Sequence, residues 1–423
     1  MKMRLILAAF FLTLTMAVTA EAVADTSQGV FHPSFRSLRV TAEGDDFAPP
    51  VAMIQDEGSK VNIEFDEIAE DRRFMRYELI HCDARWKPEG LVASEFLDGF
   101  NEGTVEDYEF SRATLVHYVH YSITIPNEQV RIKATGNYLL RVYDESDPDE
   151  TLLQARFGVS DYSAELLPGV SSLTDIDANV RHQQVSLSAD LRHVKEISDP
   201  FSELTVVVSQ NGRTDNEVVL TTPQRVAGSK VIYEHLRPLI FRAGNEYRRF
   251  ETVSTTYPGM GVEKIEYHHP IYHIDLFTDM PRAYAPYLYD STQHGRFFIR
   301  EWSSASSDTE ADYVMTNFSL EMPELKNADI FIDGDLTQRR FDPSSRMVYN
   351  NATGRYEQSL LLKQGAYNYQ YLVVPFGKTR GETAPVEGDF YQTTNEYTIK
   401  VYHRPRGARY DRLIGVTRVN SGI

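Results

Sequence analysis

A chain of 423 residues has room for two to four domains at roughly 150 residues each, and 42% hydrophobic with 25% charged residues excludes a disordered composition. A formal charge of −18, from 43 basic and 61 acidic residues, repels phosphate backbones and argues against general nucleic-acid binding. The single cysteine excludes an intramolecular disulfide.

Residues 1–24 read as a secretory signal peptide. A basic MKMR precedes the apolar run LILAAFFLTLTMAV, and Ala20-Glu21-Ala22 and Ala22-Val23-Ala24 offer small-residue cleavage sites after Ala22 or Ala24. The run has fourteen residues, short of the about 20 that a membrane span needs. No later stretch reaches that length, and no cysteine follows the run to carry a lipid anchor. The expectation is an exported protein without direct membrane insertion.

Strand signals dominate the rest of the chain, and 25 Tyr and 22 Phe suit pleated, half-buried surfaces. YELIHCDARW (77–86) opens as a strand, which places His81 and Asp83 on one face and Cys82 on the other. In HYVHYSITI (117–125), Val119, Tyr121, Ile123 and Ile125 alternate with more polar neighbours, and YLLRVYDES (138–146) is a second strand. SDYSAELLPGVSSLTD (160–175) is rich in turn residues and reads as a linker. LTVVVSQNGRTDNEVVL (204–220) reads as a hairpin, with Asn211-Gly212 supplying two residues with positive φ for a tight turn. Prolines mark a break at 279–287. YEQSLLLKQGAYNYQYLVV (356–374) turns near Gln364-Gly365, with Tyr367, Tyr369 and Tyr371 on one face, and YTIKVYH (397–403) is a further strand.

Repeated short strands with polar turns indicate an all-β chain of tandem antiparallel β-sandwich domains, immunoglobulin-like or E-set-like. The expected division is 25–160, 161–280 and 281–405, with a basic arm at 406–423. The ending RPRGARYDRLIGVTRVNSGI sets five arginines against Asp411, a segment suited to packing on its own acidic body, to solvation, or to an acidic partner.

No constellation supports catalysis. A Cys–His dyad needs its groups within hydrogen-bond reach, and alternation turns Cys82 away from His81. In EYHHPIYHIDLF (266–277), an extended chain would separate His269 from His273 by about 13 Å at ~3.3 Å per residue, too far for one ion. DESDPDE (144–150) lacks the glycine and terminal glutamate of a calcium loop. Catalytic, cofactor-binding and metal-ligating residues are therefore all assigned as none.

Two long runs carry a resemblance. IHCDARWKPEGLVASEFLDGFNEGTVEDYEFS (80–111) and HYSITIPNEQVRIKATGNYLLRVYDE (120–145) resemble the N-terminal domain of the type IX secretion system plug protein family. The ending EGDFYQTTNEYTIKVYHRPRGARYDRLIGV (387–416) also looks like that family. The resemblance implies a non-enzymatic periplasmic component of protein export in Bacteroidota-like bacteria. Its implied partner is the outer-membrane translocon barrel, whose periplasmic opening it closes when idle. Residues 328–373 are similar to glycogen-binding-type carbohydrate-binding modules, but the comparable stretch, Asp333-Gly334-Asp335-Leu336-Thr337, has no Trp for a sugar platform. An exported carbohydrate-binding protein using the Tyr367/Tyr369/Tyr371 stripe is one alternative. A hydrolase dependent on Cys82 or on a metal at His268, His269 and His273 is the other.

Overall fold

Alternation along the strands builds the first sandwich. The computed structural model describes residues 25–422, so the expected signal segment lies outside the described residues. One sheet runs Gly29–Val30, Asp147–Ser160, Gly136–Asp144, Met75–Cys82 and Gly103–Thr104, with Val51–Met53 added in parallel to the Gly158 end. The facing sheet runs Phe35–Ala42, Val61–Glu67, Val119–Ile125 and Asp107–Phe110. Val119, Tyr121, Ile123 and Ile125 all point inward and meet Phe65, Tyr77, Leu140 and Phe157 in the core.

The second sandwich is completed by the end of the chain. Glu165–Ser171, His182–Asp190, Lys230–Tyr233, Arg225–Ala227 and Ile240–Arg242 form one layer. The other is Val218–Leu220, Leu204–Gln210, Glu396–His403 and Arg412–Asn420. Val206 pairs with Val401 and Val208 with Ile399, and these side chains close the core with Leu187 and Tyr397. The third sandwich lies between these parts of the second in sequence. Its layers are Arg248–Glu251, Gly365–Pro375, Phe297–Ile299 and Ala328–Asp333 against Val262–His268, Ile271–Leu276, Tyr313–Glu321, Arg355–Lys363 and Val348–Asn350. Among the described residues the chain is all-β, in three sandwiches whose strand pairings are antiparallel except Val51–Met53 with Asp147–Ser160 and Ile271–Leu276 with Tyr313–Glu321, with an isolated parallel bridge between Asp279 and Leu320.

Several expectations change. The boundaries at 280 and 405 and the linker at 160–175 do not follow the pairing. Glu165–Ser171 is an edge strand that accommodates Pro168 opposite Leu187. The break at 279–287 lies inside the third sandwich, where the Asp279 carboxylate accepts from the Tyr369 and Tyr371 hydroxyls at 2.7 and 2.8 Å. The basic arm is largely the strand Arg412–Asn420, because Leu413 and Ile414 have a core to fill. Asn211 and Gly212 do adopt positive φ, 53° and 71°. However, pairing resumes only at Val218, because Asn211 Nδ2 is drawn to Asn395 Oδ1 and Arg213 buries itself on Asp215 and the Gly381 carbonyl.

Candidate functional site at the junctions between sandwiches

Cys82 is fully buried, its thiol donates to the Ile80 carbonyl at 3.7 Å, and burial pushes its pKa up to about 12. It points away from the first core, beside Ile80, Leu139 and Trp86. On the other face His81 Nδ1 lies 2.7 Å from Glu89 Oε2 and Nε2 3.2 Å from the Thr135 carbonyl. The tyrosine stripe is internal: Tyr367 stacks on Phe250 and Phe297, and all three tyrosines are buried. A sugar platform built on them is therefore removed.

The histidine segment is a hairpin, with His268 opposite Ile271 and Glu266 opposite His273. The expected extended geometry is corrected: the chain reverses at His269-Pro270, and the His268 and His273 ring centroids are 4.8 Å apart. Among the described residues no group of three His, Cys, Asp or Glu side chains is placed to hold a metal. The acidic run at 144–150 is the tip of a hairpin, a turn at 145–146 between two strands, and Arg73 and Arg76 pair with Asp144 and Glu145.

The unusual chemistry lies where the sandwiches meet. Between the first and third, Asp66 and Lys363 are each 1% exposed. The Lys363 ammonium donates to Asp66 Oδ2 at 2.6 Å and to the Asp308 carbonyl at 2.6 Å, and sits 4.1 Å from the Tyr118 ring centroid. The Tyr313 hydroxyl donates to the same Asp66 oxygen at 2.6 Å, and His120 Nδ1 lies 2.7 Å from the other. Burial alone would raise the Asp66 pKa; Lys363 and His120 outweigh it and hold the carboxyl below its usual range.

Between the first and second sandwiches, Asp411 Oδ2 accepts from the Ala84 amide at 2.8 Å, Oδ1 accepts from Arg404 Nε at 2.7 Å, and Arg404 also pairs with Glu89. Gly136, at φ 148°, leaves room there: a Cβ would come within 2.4 Å of His81 Nε2. Val51, Ala84, Val207, Tyr402 and Leu413 fill the apolar part of the contact. Arg404, Arg409, Arg412 and Arg418 are thus bound to the protein's own carboxylates, Arg409 to Glu95, Arg412 to Glu196 and Arg418 to Glu396 and Asp45. Beside the third sandwich, Glu387 is fully buried and accepts from Arg248 Nε at 3.0 Å, Arg282 Nη2 at 2.6 Å and the Tyr371 amide at 2.9 Å. Burial would raise its pKa, but the two guanidiniums bring it down to about 2.

Residues 35–161 match the model of the type 9 secretion system plug protein first domain. A crystal structure of a hypothetical protein from Parabacteroides merdae ATCC 43184 is 40% identical, covers 93% of this chain and 99% of that one, and superposes with a TM-score of 0.91. The chain belongs to the type IX secretion system plug protein family. No curated protein matches it. The BSP domain of a biofilm-associated protein is 7% identical over 93% of this chain and 60% of its own, with a TM-score of 0.19.

The high superposition with the Parabacteroides protein extends through all three sandwiches of this plug-family chain, so the relative arrangement is kept at 40% identity. The junction residues that fix this arrangement were not identified from sequence. The available signal was a charge interrupting a strand pattern, as in IEFDE for Asp66 and LLLKQ for Lys363. That signal marks a buried charge only once the covering element is known.

Proposed function

We propose that this plug-family protein is a non-enzymatic periplasmic component of the type IX secretion system that closes the periplasmic opening of the outer-membrane translocon when it is idle. The family match over the first sandwich carries the reading. The junctions support it, because occluding an opening requires a body that does not yield at its internal joints. Here the first and third sandwiches are joined by the buried Asp66–Lys363 pair, the first and second by apolar packing, and the second and third by the Arg296–Glu396 pair. No helix among the described residues is long and apolar enough to cross a membrane. The reading calls for a protein–protein interface with the translocon.

The surface we assign to that interface includes 277–289. Phe277, Met280, Tyr284, Leu288 and Tyr289 are exposed there, Tyr284 at 99%, and clustered exposed apolar side chains mark interaction sites. Plugging further requires tighter binding to the idle translocon than to the engaged one, since equal affinity shifts no population.

Outer-membrane permeability tests the proposal. Cells lacking the protein should admit large hydrophilic antibiotics that intact cells exclude, and the wild-type gene should restore exclusion. Unchanged permeability in the deletion strain would contradict closure of an opening.

A further inference from the structure

Two cations converge on one tryptophan where the first and second sandwiches face each other. The Arg156 guanidinium carbon lies 4.5 Å from the Trp86 ring centroid and Lys400 Nζ lies 5.4 Å from it. Strand alternation brings them together. Arg156 pairs with Leu139, on the face of the first sheet that carries Cys82 rather than the core. Lys400 lies between Val207 and Val416 on the corresponding outer face of the second sandwich. Trp86 has φ 64°, a left-handed conformation unusual for a bulky side chain. A turn holds it there: Asp83 Oδ1 accepts from the Arg85 and Lys87 amides, and the Asp83 carbonyl accepts from the Trp86 amide.

These three residues line a cavity of about 520 Å³ at the meeting point of all three sandwiches, a size suited to a small molecule. Other cations of its wall are already matched. Arg296 pairs with Glu396, Arg339 with Asp335 and Arg340 with Asp342. Among the described residues the Arg156 guanidinium donates only from Nε, to the Thr26 carbonyl at 2.7 Å. Among the described residues neither its terminal amino groups nor the Lys400 ammonium has a hydrogen-bond or ion-pair partner. Glu217, also in the wall, makes no ion pair among the described residues, and burial raises its pKa against the pull of Lys400 and Arg156.

Like charges gathered in a half-buried site are costly without a counter-charge. The open edge of a guanidinium beside an ammonium is the donor set that carboxylates and phosphates accept. We propose that this cavity binds a small ligand bearing an oxyanion, a carboxylate or a phosphate, held by the Arg156 terminal amino groups and Lys400 Nζ beside the Trp86 ring.

The chain has two tryptophans, and Trp302 is 61% exposed. In full-length mature protein carrying Trp302→Phe, emission therefore reports on Trp86 alone. Titration with succinate and with inorganic phosphate, at ionic strength held constant by chloride, should give a saturable change for at least one. The anion that saturates at lower concentration identifies the chemistry. Lys400→Met and Arg156→Met should each weaken that response about tenfold or more, while Lys400→Arg retains it. No saturable change with either anion, or a Lys400→Met response at the parent's concentration, would overturn the proposal. Should the Met variants fail to fold, the parent's melting temperature decides: it should rise with the saturating anion, and no rise overturns the assignment.

Discussion

Lys363 shows what a charge must find once it leaves water. Its ammonium has a carboxylate, a carbonyl and an aromatic face within reach, and removing it leaves Asp66 buried with its strongest partner gone. Lys363→Met should therefore lower stability by about 3–5 kcal/mol, measured by urea unfolding. The double variant with Asp66→Asn should recover much of that loss, since an uncharged pair no longer buries an unmatched charge. Glu387 makes a pH-dependent prediction. Its folded pKa near 2 lies below the unfolded value of 4.5, so its contribution is complete above the unfolded pKa and is lost as pH falls towards 2. At neutral pH Glu387→Gln should be less stable than wild type by about 3 kcal/mol, and the gap should close between about pH 5 and pH 2. Cys82 predicts a silent thiol. With its pKa near 12, labelling at pH 8 should be negligible in the native protein and complete on denaturation. Its orientation was legible from alternation alone. Its burial was legible from residue type, since unpaired cysteine is among the most buried, but the cover by Ile80, Leu139 and Trp86 was not.

At the scale of elements, periodicity identified strands but not their neighbours. Val119–Ile125 and Glu396–His403 follow their sequence patterns closely. Nothing local, however, tells Glu396–His403 to pair with Leu204–Gln210 across the intervening third sandwich. The same limit explains the terminal arm. Its arginines stood out, whereas the apolar Leu413-Ile414 pair that makes it a strand is too short to register as a pattern. Ending the chain at His403 should remove Arg412–Asn420, uncover the core at Ile399 and Val401, and detach Asp411 from Ala84. The expected result is rapid proteolysis within 165–242 while 25–160 stays resistant. Equal resistance across the truncated protein would show that the strand is dispensable.

The whole molecule joins three cores through junctions in which each sandwich contacts the other two. That arrangement gives the proposed plug a fixed shape, and the exposed stretch 277–289 gives it an apolar surface to present. Tyr284→Glu with Leu288→Glu should leave the melting temperature nearly unchanged, since both side chains are exposed, while reducing retention on the translocon. The family resemblance was legible from long runs of the first domain such as 80–111, which lie within the matched residues 35–161. The junctions were not legible, because they depend on which faces the sheets turn towards one another. The most direct measurement is quantitative co-purification of the protein with the translocon in mild detergent, from cells whose export is idle and from cells loaded with cargo. Strong association is expected in the idle state, with marked loss on engagement. Absence of association in both states, or equal association in both, would contradict the proposed plugging.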